Sequence, residues 1–383
     1  MNITMIDDSI AFDGASPDAR ALGGAEKAFV RLAAALAARG HWVTAINQCS
    51  DQVQIDAVDW LPLSAPRPPD TDVLIAFRKP ALLDEVEDAE HRCLWLWDGP
   101  KLLDQPASRR ILKRHNPALV LTGAAHRAAL KGWSELRQSV IQPGVGAVFL
   151  GGEGPDLQSP QPIAVVTTHP LHGLAEMVAL WSERIHPKRP DAILRIYSAG
   201  LWRGLDGGNV DQRLQPVLEA VRAAADAGAE VRMPEPDPGM ATAYREAAVH
   251  LYPAIKGESY ASTLAESQAA GAPAILRAPE GASPALLERI ENGRTGYLAP
   301  DDDAFVNLTQ GLLEPGSEMY QSLSQAGGGA RSARGWDAAA IEFEALWTEI
   351  WNQNLRHEAF ICHIHAGRRR DIIDRSIAPG DRK

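Results

Sequence analysis

Cysteine is scarce in this chain. Cys49, Cys93 and Cys362 are the three present in 383 residues, odd in number, far apart, and in no Cys-x-x-Cys pair. That excludes a disulfide-held fold and a zinc ribbon, and it suits a reducing compartment. Positive charge is also short: 38 basic against 49 acidic residues leave a formal net charge of −11. Affinity for a phosphate backbone comes mainly from clustered Lys and Arg, so a nucleic-acid partner is disfavoured. No run of about 18 apolar residues occurs. The start, MNITMIDDSI, places Asp7 and Asp8 where a signal peptide needs basic and then apolar residues. The expectation is a cytoplasmic protein whose remaining membrane option is peripheral contact at the inner face.

What is present is an ordinary globular composition, 45% hydrophobic and 23% charged, long enough for two domains at roughly 150 residues each. Short apolar runs alternate with segments of helical period, the signature of an α/β fold with buried parallel strands. In the first half, strands are expected at Ile3–Ile6, Trp42–Ile46, Val73–Phe77, Cys93–Trp97, Leu119–Leu121 and Val140–Gln142, with a long helix at Glu26–Arg39. Gly151-Gly-Glu-Gly-Pro-Asp-Leu-Gln-Ser-Pro160 then reads as a linker. The pattern restarts with strands at Ile163–Thr167, Ile193–Tyr197, Glu230–Met233, Val249–Tyr252 and Ala274–Leu276. Helices are expected at Ala175–Arg184, Gln215–Ala227, Met240–Ala247, Ser262–Ala270 and Pro284–Asn292. The division is 1–152, 153–335, a packing helix 336–352 with Trp336, Phe343, Leu346, Trp347 and Ile350 on or near one face, and a tail 353–383. Two doubly wound domains across a linker make a cleft.

Chemistry concentrates in Tyr252-Pro-Ala-Ile-Lys-Gly-Glu-Ser-Tyr-Ala-Ser-Thr-Leu-Ala-Glu266. A strand ends, a loop of small residues follows, and a helix begins near Ser262. The helix start offers unpaired N–H groups and a positive dipole end, suited to a diphosphate. Glu258 and Glu266 flank it and can accept hydrogen bonds from sugar hydroxyls.

The whole string resembles the Glu-x7-Glu signature of retaining GT-B glycosyltransferases, in particular glycosyltransferase family 4. The resemblance extends in order through Leu22-Gly-Gly-Ala-Glu26, Val140-Ile-Gln-Pro-Gly-Val145, Glu291-Asn-Gly-Arg-Thr-Gly-Tyr-Leu298 and the Trp336 helix. It implies a GT-B fold of two Rossmann-like domains, the first for the acceptor and the second for the donor. It also implies transfer of a sugar from a nucleotide-diphosphate-sugar to a glycan, lipid-linked or small-molecule hydroxyl with retention, and no metal or other cofactor. By the same resemblance Gly23 and Gly24 let the backbone approach the diphosphate, Glu258 holds donor-sugar hydroxyls, and Glu266 holds the ribose. Lys256, Ser259, Tyr260, Ala261, Ser262 and Thr263 complete the donor loop. The readings beside these are a tight turn before a helix for the glycines and a helix-surface carboxylate for Glu266.

The chain departs from the family in two places. Where the family has an Arg and a Lys to neutralise the leaving diphosphate, this sequence reads Val166-Thr-Thr-His-Pro-Leu-His-Gly-Leu174, with Thr167 near the Arg position and His172 at the Lys position. This looks like a divergent subgroup; a neighbouring diphosphate would protonate the imidazole of His172, and Lys256 and, more weakly, Arg203 are further sources of charge. At Cys93-Leu-Trp-Leu-Trp-Asp-Gly-Pro100, Trp97 stands where relatives commonly have His, and Asp98 either orients the acceptor hydroxyl or caps the next turn. His126 matches a family position lining the cleft; a satisfied surface histidine is the plainer reading.

Trp97, Trp133 and Trp202 are candidates for sugar stacking, with core packing as the default. The basic segment 109–115, with Ile111 and Leu112, is either a solvated helix face or a patch for an anionic bilayer or acidic glycan. The alternative to transfer is a glycosyltransferase-like protein that binds a nucleotide-sugar or glycan without catalysis. A GT-B enzyme of the sugar-phosphate or epimerase type is a third reading. A dehydrogenase is disfavoured because no Gly-x-Gly-x-x-Gly follows the first strand.

Overall fold

A computed structural model describes residues 1–151, 162–253, 258–325 and 333–352. Most of the expected linker, Lys256 and the tail from 353 lie outside them. The chain forms two compact units, Met1–Ala339 and Ala340–Lys383. Among the described residues no helix is long and apolar enough to cross a membrane.

The larger unit holds two sheets. Strands β1 (Asn2–Ile6), β2 (Trp42–Asn47), β3 (Val53–Ile55), β4 (Val58–Pro62), β5 (Asp70–Phe77), β6 (Asp88–Trp95), β7 (Ala118–Leu121) and β8 (Gln138–Val140) lie in the order β3-β4-β2-β1-β5-β6-β7-β8. All pair in parallel except β3 with β4. Ile3, Met5, Ile6 and Val73–Phe77 are almost wholly buried, because helices cover both faces and a central strand must be apolar on each. Strands β9 (Ile163–Val166), β10 (Ile193–Tyr197), β11 (Ala229–Arg232), β12 (Val249–Tyr252), β13 (Ala274–Arg277) and β14 (Gly296–Ala299) form the second sheet, all parallel, in the order β11-β10-β9-β12-β13-β14.

In both sheets the chain winds outward from its first strand and then returns to that strand's other side. The reversal falls between β1 and β5 in one and between β9 and β12 in the other, and the crevice of a doubly wound sheet opens at such a point, beyond the strand C-termini. The loops leaving β1, β5, β9 and β12 therefore carry the candidate site. The stretch expected as a linker separates β8 from β9 in sequence. In the smaller unit the described residues 340–352 are helical, with the Phe343 and Trp347 rings 5.8 Å apart.

Several elements differ from expectation. The hairpin β3–β4, strand β14 and the helices Ala199–Leu205, Asp302–Leu313 and Glu318–Gln325 were not foreseen. The strand expected at Cys93–Trp97 runs over Asp88–Trp95, so Trp97 and Asp98 belong to the following loop. The helix expected at Pro284–Asn292 stops at Leu287. The one expected at Ala175–Arg184 ends at Leu180 and widens into a π turn, Trp181–Ile185, which sets the buried Trp181 indole to donate to the Ala227 carbonyl at 2.7 Å.

Candidate active site

Two helix starts converge across the crevice. The Gly24–Ala38 helix follows the β1 loop with Gly23 as its N-cap, and the Ser262–Ala269 helix follows the β12 loop; neither has a side-chain cap. A Cβ at Gly24 would collide with the Ser262 side chain. Gly23 has an ordinary φ of −66°, so the need for glycine here is close approach rather than unusual backbone.

One turn into each helix the contact becomes ionic. Lys27 pairs with Glu266, and its ammonium is also 3.1 Å from Asp237, at the start of the Asp237–Glu246 helix. Arg31 reaches Asp237 at 3.3 Å and Asp18 at 2.7 Å. Burial opposes the charge on Lys27, but Glu266 and Asp237 outweigh it and hold the ammonium above its usual value. Burial pushes the Glu266 carboxyl upward, against the pull of Lys27. The expected ribose ligand is thus buried and engaged by a lysine of the first sheet's helix, and a helix-surface carboxylate is excluded. The cavity bounded by Gly24, Lys27, Trp97, Ser262 and Glu266 measures about 20 Å³, room for one water.

The loop after β12, expected to hold the donor, is stitched to the loops of the first sheet. Ser259 donates its hydroxyl to the Trp97 carbonyl, Thr122 donates to the Ser259 carbonyl at 3.0 Å, and Tyr260 donates to the Pro143 carbonyl at 3.3 Å. Ser283 holds the Glu258 carbonyl at 2.7 Å. Tyr260 and Ala261 are buried, while Ser262 and Thr263 are half-buried at the helix start. Burial raises the Glu258 carboxyl pKa; the Ser259 and Tyr260 N–H groups oppose this, and the Asp98 charge adds to it. The Glu258 carboxyl therefore lies within electrostatic reach of Asp98. Asp98 is exposed, and the turn after it, Pro100–Leu102, has Gly99 as its N-cap with no side-chain cap.

His126 is not a surface residue: it is 3% exposed. Its Nε2–H donates to the Asp98 carbonyl at 3.1 Å and its Nδ1 accepts from the Thr122 N–H at 3.3 Å. A carbonyl only accepts and an N–H only donates, so one neutral tautomer satisfies both, and burial lowers the ring's pKa accordingly. His126 is a strut beneath the Asp98 loop. Trp97 is also a wall rather than a stacking platform, its ring against Phe77, Trp95 and Tyr260 at 5.9, 5.9 and 5.5 Å. Trp133 is buried beneath Arg109, whereas Trp202 is 41% exposed.

At the mouth of β9 stand Thr167 and His172. Thr167 turns inward, its hydroxyl 3.0 Å from Nε2 of the fully buried His250, whose Nδ1 is 2.7 Å from the Ser267 hydroxyl. Burial, and then His169, lowers the His172 pKa, the two rings lying 5.2 Å apart. The Arg203 side chain is exposed and bonds back to the Ala199 carbonyl at 3.3 Å. On the Pro106–His115 helix, Arg109 pairs with Asp104 at 2.7 Å, and Arg114 and His115 pair with Asp84 at 3.0 and 2.5 Å. Leu112 of that helix is buried and Ile111 half-buried, which favours the solvated-face reading.

Lys27, Arg31, Asp237 and Arg78 were missed from sequence. Arg78 follows β5 with φ +67° and reaches the Asp7 carboxylate at 2.9 and 3.0 Å and Glu26 at 3.0 Å. Its signal was available: an arginine directly after an apolar strand at the end where α/β sites form. Lys27 and Asp237 had none, since partners so far apart in sequence carry no spacing.

No family model and no curated protein matches the chain. Solved structures do match its fold. A sucrose-phosphate synthase from Thermosynechococcus elongatus is 15% identical, with TM-score 0.64 over 92% of this chain and 100% of that one. A glycosyltransferase from Rickettsia africae is 13% identical, with TM-score 0.65 over 91% and 98%. HepE from Anabaena, solved in complex with UDP and glucose, is 13% identical, with TM-score 0.63 over 91% and 99%. The two parallel-sheet domains of this chain are those of the GT-B glycosyltransferase fold.

Proposed function

We propose that this protein is a retaining glycosyltransferase that uses a nucleotide-diphosphate-sugar. The observation that carries the reading is the convergence of two uncapped helix starts at Gly24 and Ser262, flanked by Glu258 and Glu266. Two positive dipole ends facing one gap suit a diphosphate, and a half-buried and a buried carboxylate beside them, Glu258 and Glu266, suit hydroxyls. HepE, with the same fold, was solved with UDP and glucose.

In this reading the bond from the anomeric carbon to the β-phosphate oxygen breaks with its electron pair on phosphate. The acceptor oxygen bonds to the same face of that carbon, and its proton passes to the departing phosphate. Stabilising the leaving diphosphate is then the main demand, met by the helix starts and by protein cations. Glu258 holds the donor sugar, and Asp98, opposite it, orients the acceptor hydroxyl.

Incubation with UDP-, GDP- and ADP-sugars, with and without glycan and lipid-linked acceptors, tests the reading by nucleotide release and by the anomeric configuration of the product. Acceptor-dependent release with retention is expected. Binding without turnover under every acceptor would instead identify a nucleotide-sugar-binding protein, and acceptor-independent turnover a donor-hydrolysing or rearranging enzyme.

A further inference from the structure

Lys27 is 9% exposed, with its ammonium between Glu266 and Asp237. It lies on the first turn of a helix whose start abuts Ser262. A nucleoside diphosphate cannot enter the cavity of about 20 Å³ there unless the two helix starts separate, and separating them strains the pair between Lys27 and Glu266. This ion pair therefore belongs to the closed contact between the two helices. The mouth of β9 offers little positive charge: Thr167 has none and is bonded to His250, and burial and His169 disfavour charge on His172. Lys27 carries a charge that its neighbours hold in place, and its flexible stem spans the single turn, about 5 Å, back to the helix starts.

We propose that Lys27 exchanges partners when the donor binds, its ammonium leaving Glu266 for the diphosphate and thereby freeing Glu266 for the nucleotide's hydroxyls. The exchange strands no buried charge. Asp237 keeps Arg31, and Glu266 trades one donor for others. As the anomeric bond breaks, Lys27 meets the charge that grows on the leaving phosphate. The inference rests on the nucleotide-sugar reading above, and the test separates the two.

Titration calorimetry of the wild type against UDP, GDP, ADP and the matching nucleosides identifies the base. If no diphosphate binds, the nucleotide-sugar reading itself fails, and this inference with it. If one does, Lys27→Met is expected to lower affinity for that diphosphate about ten- to a hundredfold. The nucleoside should change by less than about threefold, and Lys27→Arg should keep most of the affinity. Because Lys27→Met leaves Glu266 buried without its partner, the double variant Lys27→Met/Glu266→Gln is compared with Glu266→Gln alone. The ratio of diphosphate to nucleoside affinity should again fall about tenfold. An unchanged ratio in both comparisons would show a purely structural lysine and overturn the inference while leaving the donor reading intact.

Discussion

Gly24 and Ser262, from opposite sides of the crevice, touch so closely that a methyl group on residue 24 would occupy the place of the serine side chain. The contact sets two positive helix ends against each other, one turn from a buried salt bridge. Two positive ends so placed favour an anion between them, and the packing is tight enough that small changes in it should register in binding.

Gly24→Ala should therefore weaken diphosphate binding about tenfold or more and also lower the melting temperature, since the new methyl displaces the Ser262 side chain and alanine's better helix propensity offsets only part of that clash. Ser262→Gly in the same chain removes the opposing side chain and should recover part of the affinity. A Gly24→Ala protein that binds as tightly as the wild type would show that the helix starts do not close on the ligand.

Glu258→Gln should lower turnover strongly and stabilise the fold. The Glu258 carboxyl is held above its usual value, mainly by burial, so the folded chain binds its proton more tightly than the unfolded one. Stability from this group is then lost as pH rises from the unfolded value, about 4.3, through the raised folded value. Urea unfolding from pH 4 to 8 should show the variant gaining on the wild type over that window. Equal stability at every pH would remove the strain argument, and wild-type turnover would remove the donor-sugar role.

The strands at Ile193–Tyr197 and Val249–Tyr252 were legible to the residue because each is a short, mainly apolar run that a turn-former, Ser198 or Pro253, ends. The β3–β4 hairpin was not. Its two-residue turn is Asp56-Ala57, with φ of +52° and +59°, where the usual signal is Asn-Gly or Asp-Gly. The glutamates and the small-residue loop of the site could be read because the helix start, loop and strand are contiguous. What holds Glu266 could not, because Lys27 comes from the other sheet's helix. His126 was legible as a histidine of the cleft region, but its burial depends on the Asp98 loop folding over it.

Arg78 should matter more to stability than any surface arginine. It bridges Asp7, which is 1% exposed, and Glu26. Breaking such a pair leaves charges uncompensated in the interior, at a cost of about 3–5 kcal/mol. Arg78→Met should shift the urea midpoint accordingly, whereas Arg114→Ala, at an exposed pair with Asp84, should cost about 1 kcal/mol or less. Arg78→Lys should recover little, since one ammonium cannot bond both carboxylates in the same fork. Comparable effects from Arg78 and Arg114 would mean that the cluster at the β1–β5 switch point is not structural.

His172→Arg should preserve or raise activity and flatten the pH dependence of donor binding. Burial and then His169 hold the His172 imidazole below its usual value, so it is uncharged at neutral pH. An arriving diphosphate favours the charged ring, so wild-type binding should take up a proton and tighten as pH falls from about 7.5 to 5.5. The arginine is charged throughout, giving tighter binding at the upper end and a smaller slope. Calorimetry in buffers of different ionisation heat counts the proton directly. If His172→Arg leaves that count unchanged while His169→Gln abolishes it, the titrating ring is His169. If both leave it unchanged, neither imidazole meets the diphosphate, and the mouth of β9 is not where the donor's charge is held.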